Sequence, residues 1–182
     1  MTTIQAQQEL ASEVLKVTQQ HVTDGAIIAG GAPRNWYVKK LARDIDIFCM
    51  TDSFDHKLLG DELEIEIKKL TKEDIKKSDL TIEYSGFGLY EATVEEELIQ
   101  WICIGHLYKS VQEYVMKSFD YNVCKCFFDD GEIVLSKEAM KDFTNKTLTF
   151  VAEELGDKNL RCLAKRTKKL KAIFPDYEIN IA

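Results

Sequence analysis

Proline, histidine and long apolar runs are all scarce in this chain of 182 residues. The two prolines exclude a proline-rich linker, and the three histidines are too scattered to form a histidine-based metal centre. No apolar run approaches the roughly 18 residues that a membrane-spanning helix needs. The first residues also lack the basic and apolar segments of a secretory signal. We therefore expect a cytoplasmic protein without a membrane partner.

The five cysteines do not follow the spacing of a zinc-binding site. Four of them lie in apolar, strand-like segments, and Cys124 and Cys126 would share one face of a strand. A zinc site would need a wider spacing and a second pair of ligands. We therefore expect buried free thiols.

The formal net charge of −7 conceals an uneven distribution of charge. Seven basic residues and no acidic residue lie between positions 158 and 171, so the rest of the chain is strongly acidic. A basic helix on an acidic body indicates either a localised anion-binding surface or a solvated helix face. It does not indicate a general polyanion-binding protein.

Strand-type and helix-type patterns occur together along the chain, which predicts a mixed α/β or α+β fold. We expect a central mixed sheet flanked by helices, with a helical segment at the C-terminus. The predicted units are a catalytic domain at 1–136 and a helical extension packed on it at 137–182. The main predicted helices cover residues 4–22, 35–42, 68–77 and 110–116, and the predicted strands cover 26–29, 45–49, 63–67, 89–94, 98–104, 119–128 and 132–135.

Two aspartates, Asp44 and Asp46, stand one residue apart in a predicted strand. Residues i and i+2 of a strand point to the same face, so both carboxylates project together. Two such carboxylates repel each other unless a cation lies between them. Hard divalent cations such as Mg²⁺ favour this all-oxygen environment.

A glycine pair, Gly30 and Gly31, ends the short apolar run before Asp44, and Arg34 follows the pair. Glycine allows the backbone N–H groups of a turn to approach an anion closely. The turn and the aspartate pair together indicate metal-assisted transfer from a nucleoside triphosphate.

This combination resembles the signature of the DNA polymerase β-type nucleotidyltransferase superfamily. It is most similar to the head domain of tRNA CCA-adding enzymes and bacterial poly(A) polymerases, which opens with Gly-Gly-x-x-Arg-Asp, a short helix and Asp-x-Asp. The resemblance covers roughly residues 25–170. Asn35 stands where that branch usually has aspartate. The long RNA-binding regions of the CCA-adding enzymes have no counterpart at this length.

The resemblance also implies a third carboxylate, which in that branch opens a later strand reading Arg-Arg-Asp-Phe-Thr-Ile-Asn. The segment at 118–124 is similar, and it makes Asp120 the candidate. Ser118 and Phe119 replace the two arginines, so the usual recognition of base or ribose lacks its residues. Glu97, just before a strongly apolar strand, is the alternative third carboxylate.

The metal and catalytic roles follow from the same resemblance. Asp44, Asp46 and Asp120 would bind two Mg²⁺ ions, for which Mn²⁺ is an alternative. Asp120 would also favour deprotonation of the acceptor hydroxyl.

The nucleotide-binding roles fall on five other residues. Gly30 and Gly31 would hold the β- and γ-phosphates through backbone N–H groups, and Arg34 would neutralise triphosphate charge. Arg161 and Lys165 lie four residues apart, so they share one helix face and would contact phosphates.

The implied function is transfer of a nucleoside monophosphate from a triphosphate to an acceptor hydroxyl, with release of pyrophosphate. The basic helix and the branch favour an RNA or tRNA 3′ end as acceptor. The alternatives are a toxin-like enzyme that modifies a protein or a small molecule, and a catalytically decayed binding or regulatory protein. The sequence specifies neither the base nor the oligomeric state.

Overall fold

The computed structural model describes residues 2–77, 88–106, 108–151 and 157–182, without the side chains at 76–77 and 157–162. It is a mixed α+β fold with a central mixed sheet flanked by helices, as the sequence predicts. The helices are α1 Ile4–His21, α2 Gly31–Tyr37, α3 His56–Leu63, α4 Lys72–Lys77, α5 Val111–Ser118, α6 Lys137–Asn145 and α7 Asp157–Ile173. A 3₁₀ turn covers Asn122–Cys124.

The strands are β1 Ile27–Ala29, β2 Asp44–Met50, β3 Lys68–Lys69, β4 Leu89–Val94, β5 Glu97–Ile104, β6 Cys126–Asp129, β7 Glu132–Leu135, β8 Thr147–Phe150 and β9 Glu178–Ile181. Seven of them form one sheet in the order β3-β4-β5-β2-β1-β6-β7. Strands β2 and β5 pair in parallel, and the other neighbours in this sheet are antiparallel. The remaining pair, β8 and β9, forms a separate parallel sheet.

Alternation along β2 divides its side chains between the two faces of the sheet. Ile45 and Ile47 are fully buried on the face that α1 covers with Leu10 and Val14. Phe48 lies on the opposite face, in a second apolar cluster closed by α5. Each fully buried aliphatic side chain contributes about 1.5–3 kcal/mol. Burial on both faces therefore fixes β2 and its register.

Gln7 of α1 is a buried hydrogen-bonding centre behind the start of β2. Its side-chain oxygen accepts from the Trp36 indole N–H and from the Ala42 backbone N–H, both at 2.9 Å. Its amide nitrogen donates to the Ala42 carbonyl at 2.9 Å and to Glu97 at 2.6 Å. These bonds join α1, α2 and β5 to the residues that lead into Asp44.

The C-terminal segment contains strands as well as the expected helices. Residues of α7 and β8 share an apolar cluster with Tyr121 and Val123, which precede β6. Tyr121 also forms an isolated antiparallel bridge with Phe150. The segment at 137–182 therefore packs against the residues that follow α5, and its division from the first unit at residue 136 stays a prediction.

Four local predictions differ from the structure. The helix expected at 68–77 covers only Lys72–Lys77, because Lys68–Lys69 instead pair with β4 as strand β3. The helix expected at 35–42 is Gly31–Tyr37, and it ends before Lys39, whose φ of 60° is left-handed. The strand expected at 63–67 is wrong because α3 extends to Leu63 and Glu64 is a left-handed cap. The strand expected at 119–128 begins only at Cys126, after the 3₁₀ turn.

Among the described residues, no helix is both long enough and apolar enough to cross a membrane. Cys49, Cys103 and Cys126 are buried free thiols, and Cys124 is a half-buried free thiol. Burial raises the pKa of Cys103 to about 12, so this thiol is unreactive at neutral pH.

Candidate active site

Asp44 and Asp46 project from the same face of β2, as their alternation predicts. The parallel register places Asp46 opposite Gln100 of β5, and the antiparallel register places Gln100 opposite Glu91 of β4. Directly paired residues share a face of the sheet. These four residues, called the polar patch below, therefore form a row of oxygen-bearing side chains across three neighbouring strands.

Asp46 carries the strongest electrostatic perturbation in the polar patch. The residue is half-buried, but its Oδ1 is fully buried, and no donor from the described residues reaches this atom. Burial, and secondarily the charge of Asp44, raise the pKa of Asp46 to about 8, although Arg43 and Arg34 oppose the increase. A buried carboxylate without a donor requires a proton or a cation nearby.

Arg43 partly neutralises the other aspartate. Its Nε and Nη2 donate to Oδ2 of Asp44 at 3.1 and 2.9 Å. The Arg43 side chain is 64% exposed, so solvent screens this ion pair and limits its contribution to stability. Arg43 is therefore a counterion at the solvent side of the polar patch.

The glycine turn directly follows β1, the antiparallel neighbour of β2. Gly30 has a φ of +82°, which a side chain rarely adopts, and its N–H donates to the Cys126 carbonyl at 3.0 Å. A Cβ at this position would lie 3.0 Å from the Phe119 ring. Gly31 begins α2, and the first N–H groups of a helix have no acceptor within the helix.

Arg34 is held beside the turn by its neighbour in sequence. Its Nε and Nη2 donate to the Asn35 side-chain oxygen at 3.1 and 2.9 Å, and its Nη1 donates to the Cys124 sulfur at 3.1 Å. The Asn35 amide nitrogen donates to the Leu41 carbonyl at 3.1 Å. An aspartate at this position could accept from Arg34 but could not donate to Leu41. Asparagine therefore both orients Arg34 and holds the chain that leads to β2.

Asp120 lies between α5 and the 3₁₀ turn, not on a strand. Its carboxylate is hydrogen-bonded and ion-paired with Arg166 of α7. Its backbone carbonyl accepts from the Val151 N–H at 2.7 Å. Asp120 therefore joins the C-terminal segment to the main sheet in this conformation, and its role as a metal ligand stays a prediction.

Glu97 lies on the opposite face from Asp44 and Asp46. It pairs with Val94 at the start of β5, and its carboxylate accepts from Gln7 beneath α1. Glu97 precedes the buried Ile99 by two residues, so the two side chains share a face, and Gln100 projects from the other face. The structure gives no support to Glu97 as the third carboxylate.

Gln100 is the residue at this site that sequence reasoning missed. It is only 2% exposed, its Nε2 donates to Glu91 at 3.3 Å, and its Oε1 receives no hydrogen bond from the described part of the chain. A polar residue in an otherwise apolar strand was the available sequence signal. Its significance depends on the register with β2, which the sequence does not show.

The basic stretch at 158–171 is partly occupied by internal contacts. Arg166 pairs with Asp120, and Lys171 donates to the carbonyls of Pro175 and Tyr177 at 2.7 and 2.6 Å. Lys165 is exposed on α7. The side chain of Arg161 lies outside the described residues, so its predicted role in nucleotide binding stays a prediction.

A divalent cation fits the polar patch better than it fits a centre with three carboxylates. Within the described ranges, no group of three or more His, Cys, Asp or Glu side chains is arranged to hold a metal ion. Asp44 and Asp46 nevertheless share a face, and buried oxygens of Asp46 and Gln100 lack donors from the described residues. Carboxylate and carbonyl oxygens are the ligands that Mg²⁺ and Mn²⁺ prefer.

Comparison with known protein families gives one match across most of the chain. The model of the Gad2 family, described as Gabija anti-defense 2 family protein, matches residues 5–146. This chain belongs to the Gabija anti-defense 2 family. The match covers the whole main sheet, including the glycine turn and the polar patch. A comparison with curated proteins gave no match.

Solved structures with a similar fold are tRNA-processing nucleotidyltransferases. The CCA-adding enzyme of Thermotoga maritima, complexed with tRNA, is 14% identical with a TM-score of 0.62, over 94% of this chain and 38% of that one. The CCA-adding enzyme of Bacillus stearothermophilus, complexed with CTP, is 14% identical with a TM-score of 0.60, over 94% and 40% of the two chains.

A tRNA nucleotidyltransferase complexed with primer tRNA and an ATP analogue is 14% identical with a TM-score of 0.59. The match covers 92% of this chain and 46% of that one, so this family member spans less than half the length of the structures it resembles. At this identity the likeness shows the nucleotidyltransferase fold alone. The expected fold is confirmed, but the CCA-adding branch is not.

Proposed function

We propose that this Gabija anti-defense 2 family member is a divalent-cation-dependent nucleotidyltransferase. It transfers a nucleoside monophosphate from a triphosphate to an acceptor hydroxyl and releases pyrophosphate. The observation that carries the proposal is the placement of Asp44 and Asp46 on one face of β2, beside the glycine turn at the end of β1. In a nucleotidyltransferase fold, this placement brings carboxylates for a cation next to backbone N–H groups for phosphates.

The chain supplies binding and orientation for the triphosphate. The N–H groups at the start of α2 would contact the β- and γ-phosphates, with Gly31 more available than Gly30, whose N–H already donates to Cys126. Arg34 is oriented by Asn35 and adds positive charge beside the turn. Close positioning of the reacting groups is the main catalytic contribution that such a site makes.

The reaction exchanges one P–O bond for another. The acceptor oxygen bonds to the α-phosphorus, the bond from that phosphorus to the bridging oxygen breaks, and pyrophosphate leaves. Asp44 and Asp46 would hold the cation, which when bound supplies positive charge at the phosphates. Asp120 is the proposed acceptor of the hydroxyl proton, and for this role its carboxylate would have to separate from Arg166.

RNA is the acceptor that the fold favours. The similar solved structures include complexes with tRNA, CTP and an ATP analogue. Lys165 and Lys168 are exposed on α7 and would provide positive charge for a nucleic-acid backbone. The family description further suggests that this activity opposes the Gabija defence.

The proposal is tested by incorporation of radiolabel from triphosphates labelled at the α-phosphorus. Purified protein is incubated with each triphosphate, Mg²⁺ or Mn²⁺, and either total RNA or an extract of cells that carry the Gabija defence. We expect label in one macromolecular fraction with wild type and its loss with Asp44→Asn/Asp46→Asn. The matched control is Asp24→Asn, which changes an exposed aspartate on a turn. Absence of label from every fraction would contradict the proposal.

A second candidate function is nucleotide binding without transfer. The ion pair between Asp120 and Arg166 favours it, because the proposed third carboxylate is already neutralised in this conformation. This candidate predicts that a triphosphate raises the melting temperature without incorporation of label. The Asp44→Asn/Asp46→Asn variant would then still counteract the Gabija defence, whereas an enzyme would lose that effect.

A further inference from the structure

The polar patch contains an amide where a metal site of three acidic ligands would have a carboxylate. We infer that Gln100 supplies a neutral oxygen ligand to the divalent cation held by Asp44 and Asp46, and that Glu91 orients its amide. This inference rests on the proposed function, since it concerns the cation of the same site. It replaces both Asp120 and Glu97 as the source of the third protein oxygen.

The strand register is the first support for this assignment. Asp46 and Gln100 are direct partners in the parallel pair of β2 and β5, so their side chains lie next to each other on one face. Neighbouring strands are roughly 4.8 Å apart, and one cation can therefore contact side chains from both. Glu97 projects from the opposite face and binds Gln7, and Asp120 binds Arg166.

The orientation of the Gln100 amide is the second support. Its nitrogen donates to Glu91 on β4, which lies on one side of β5. The amide oxygen is therefore turned away from β4 and toward β2, where Asp46 lies. If the amide were reversed, its oxygen would face the Glu91 carboxylate, and two acceptors would then lie together. The observed orientation leaves the unsatisfied oxygen on the side of the aspartates.

The third support is the shortage of donors for two buried oxygens. Only 2% of the surface of Gln100 is exposed. Neither its Oε1 nor Oδ1 of Asp46 receives a hydrogen bond from the described residues. A buried polar oxygen without a partner loses the hydrogen bonds that it makes with water in the unfolded chain. A hard cation between the two strands would satisfy both oxygens at once, because carboxylate and amide oxygens are both suitable ligands.

A neutral third ligand has a functional consequence. Two aspartates and one amide carry less negative charge than three carboxylates, so the protein alone would hold Mg²⁺ more weakly. Mg²⁺ commonly completes its coordination with substrate phosphates. The protein alone would therefore bind the cation with measurable but modest affinity, and the triphosphate would strengthen this binding.

The test measures Mn²⁺ affinity by electron paramagnetic resonance, without nucleotide. We expect Gln100→Leu to weaken binding by ~10-fold and Gln100→Glu to tighten it by ~10-fold, since the first removes an oxygen and the second adds a charge. Asp46→Asn should abolish binding at this site. The matched control is Gln112→Leu on the exposed side of α5, which should leave the affinity unchanged.

A second readout does not require the Gln100 variants to be fully stable. In wild-type protein, Mn²⁺ should broaden the nuclear magnetic resonance signals of the Gln100 side-chain amide, and Asp46→Asn should prevent the broadening. Signals of the Gln19 amide, on α1 and bonded to Ala26, should stay sharp at the same Mn²⁺ concentration.

The outcomes separate this inference from the proposed function. If Asp46→Asn removes Mn²⁺ binding but neither Gln100 variant changes the affinity and the Gln100 signals stay sharp, the inference is wrong and the cation site stands. If wild type and Asp46→Asn bind Mn²⁺ equally, the inference fails together with the proposed cation. If the protein incorporates nucleotide but Gln100→Leu binds Mn²⁺ as tightly as wild type, the proposed enzymatic function stands and Gln100 is not a ligand.

Discussion

Replacement of Asp46 by asparagine should stabilise the metal-free protein while it removes the proposed cation site. Burial and the neighbouring Asp44 raise the pKa of Asp46 from 3.8 to about 8, so the folded state favours the protonated carboxyl. Between these two values the unfolded chain releases a proton that the folded chain retains. Wild-type stability should therefore decrease as pH rises from about 4 to about 8 and then become constant.

The magnitude follows from the difference between pH and the ordinary pKa of the carboxyl. At about pH 7 the difference is about three units, equivalent to roughly 4 kcal/mol. Because Asp46 is half-buried and solvent screens part of the effect, we expect about 2 kcal/mol. In a chain of 182 residues this corresponds to a rise of about 4–8 °C in melting temperature. Asparagine avoids the cost because its amide does not ionise.

The assay is urea unfolding of wild type and Asp46→Asn in excess chelator at about pH 5 and about pH 8, which bracket much of the titration. The difference in unfolding free energy should be larger at the higher pH. In matched samples without chelator, added Mn²⁺ should stabilise wild type but not the variant. The control is Asp24→Asn, which should show neither effect. Equal stability of wild type and Asp46→Asn at the higher pH would refute the reasoning.

Three further substitutions test the supports of the site. Gln7→Leu should lower the unfolding free energy by about 3 kcal/mol in urea because Trp36 and other buried groups lose their partner, whereas Gln8→Leu should not. Gly30→Ala should lower the unfolding free energy by about 1–3 kcal/mol in the same assay, because the φ of Gly30 is +82° and the Phe119 ring is close. If Phe119→Ala in the same chain restores none of this stability, the contact with the ring is not responsible. Arg166→Ala should leave Mn²⁺ affinity unchanged, because the inferred third ligand is Gln100 and not the carboxylate that Arg166 binds, and a several-fold rise would contradict that assignment.

The aspartate pair was predictable because its geometry is local. Alternation along a strand depends only on adjacent residues, so the shared face of Asp44 and Asp46 follows from the sequence. The glycine turn was equally local, since Gly30 requires a left-handed φ and Pro33 fits the first turn of the short helix α2. Neither feature depends on how the neighbouring strands of the sheet are arranged.

The partners of the pair were not predictable because they depend on strand register. A shift of one residue between β2 and β5 would replace Gln100 by a residue from the opposite face of the sheet. The sequence alone does not show which of these registers the strands adopt. Glu97 is therefore a ligand candidate from the sequence, although in the structure it faces α1. Asp120 was assigned to a strand because its neighbours are apolar. In the structure Tyr121 and Val123 instead pack against the C-terminal segment, and Phe119 packs against Phe48 of the main sheet.

The balance of charge at the polar patch explains how one arrangement serves both folding and function. Without a metal ion, Arg43 neutralises Asp44, Arg34 partly compensates Asp46, and a proton on Asp46 removes the remaining repulsion. A triphosphate with its cation would bring negative phosphate oxygens toward the same arginines and would compete with the aspartates for them. Arg43 can then leave Asp44 and contact phosphate, because the cation replaces it as the counterion. Arg43→Ala should therefore strengthen Mn²⁺ binding measured by electron paramagnetic resonance, because the cation no longer displaces a counterion, and should change stability little because solvent screens the pair.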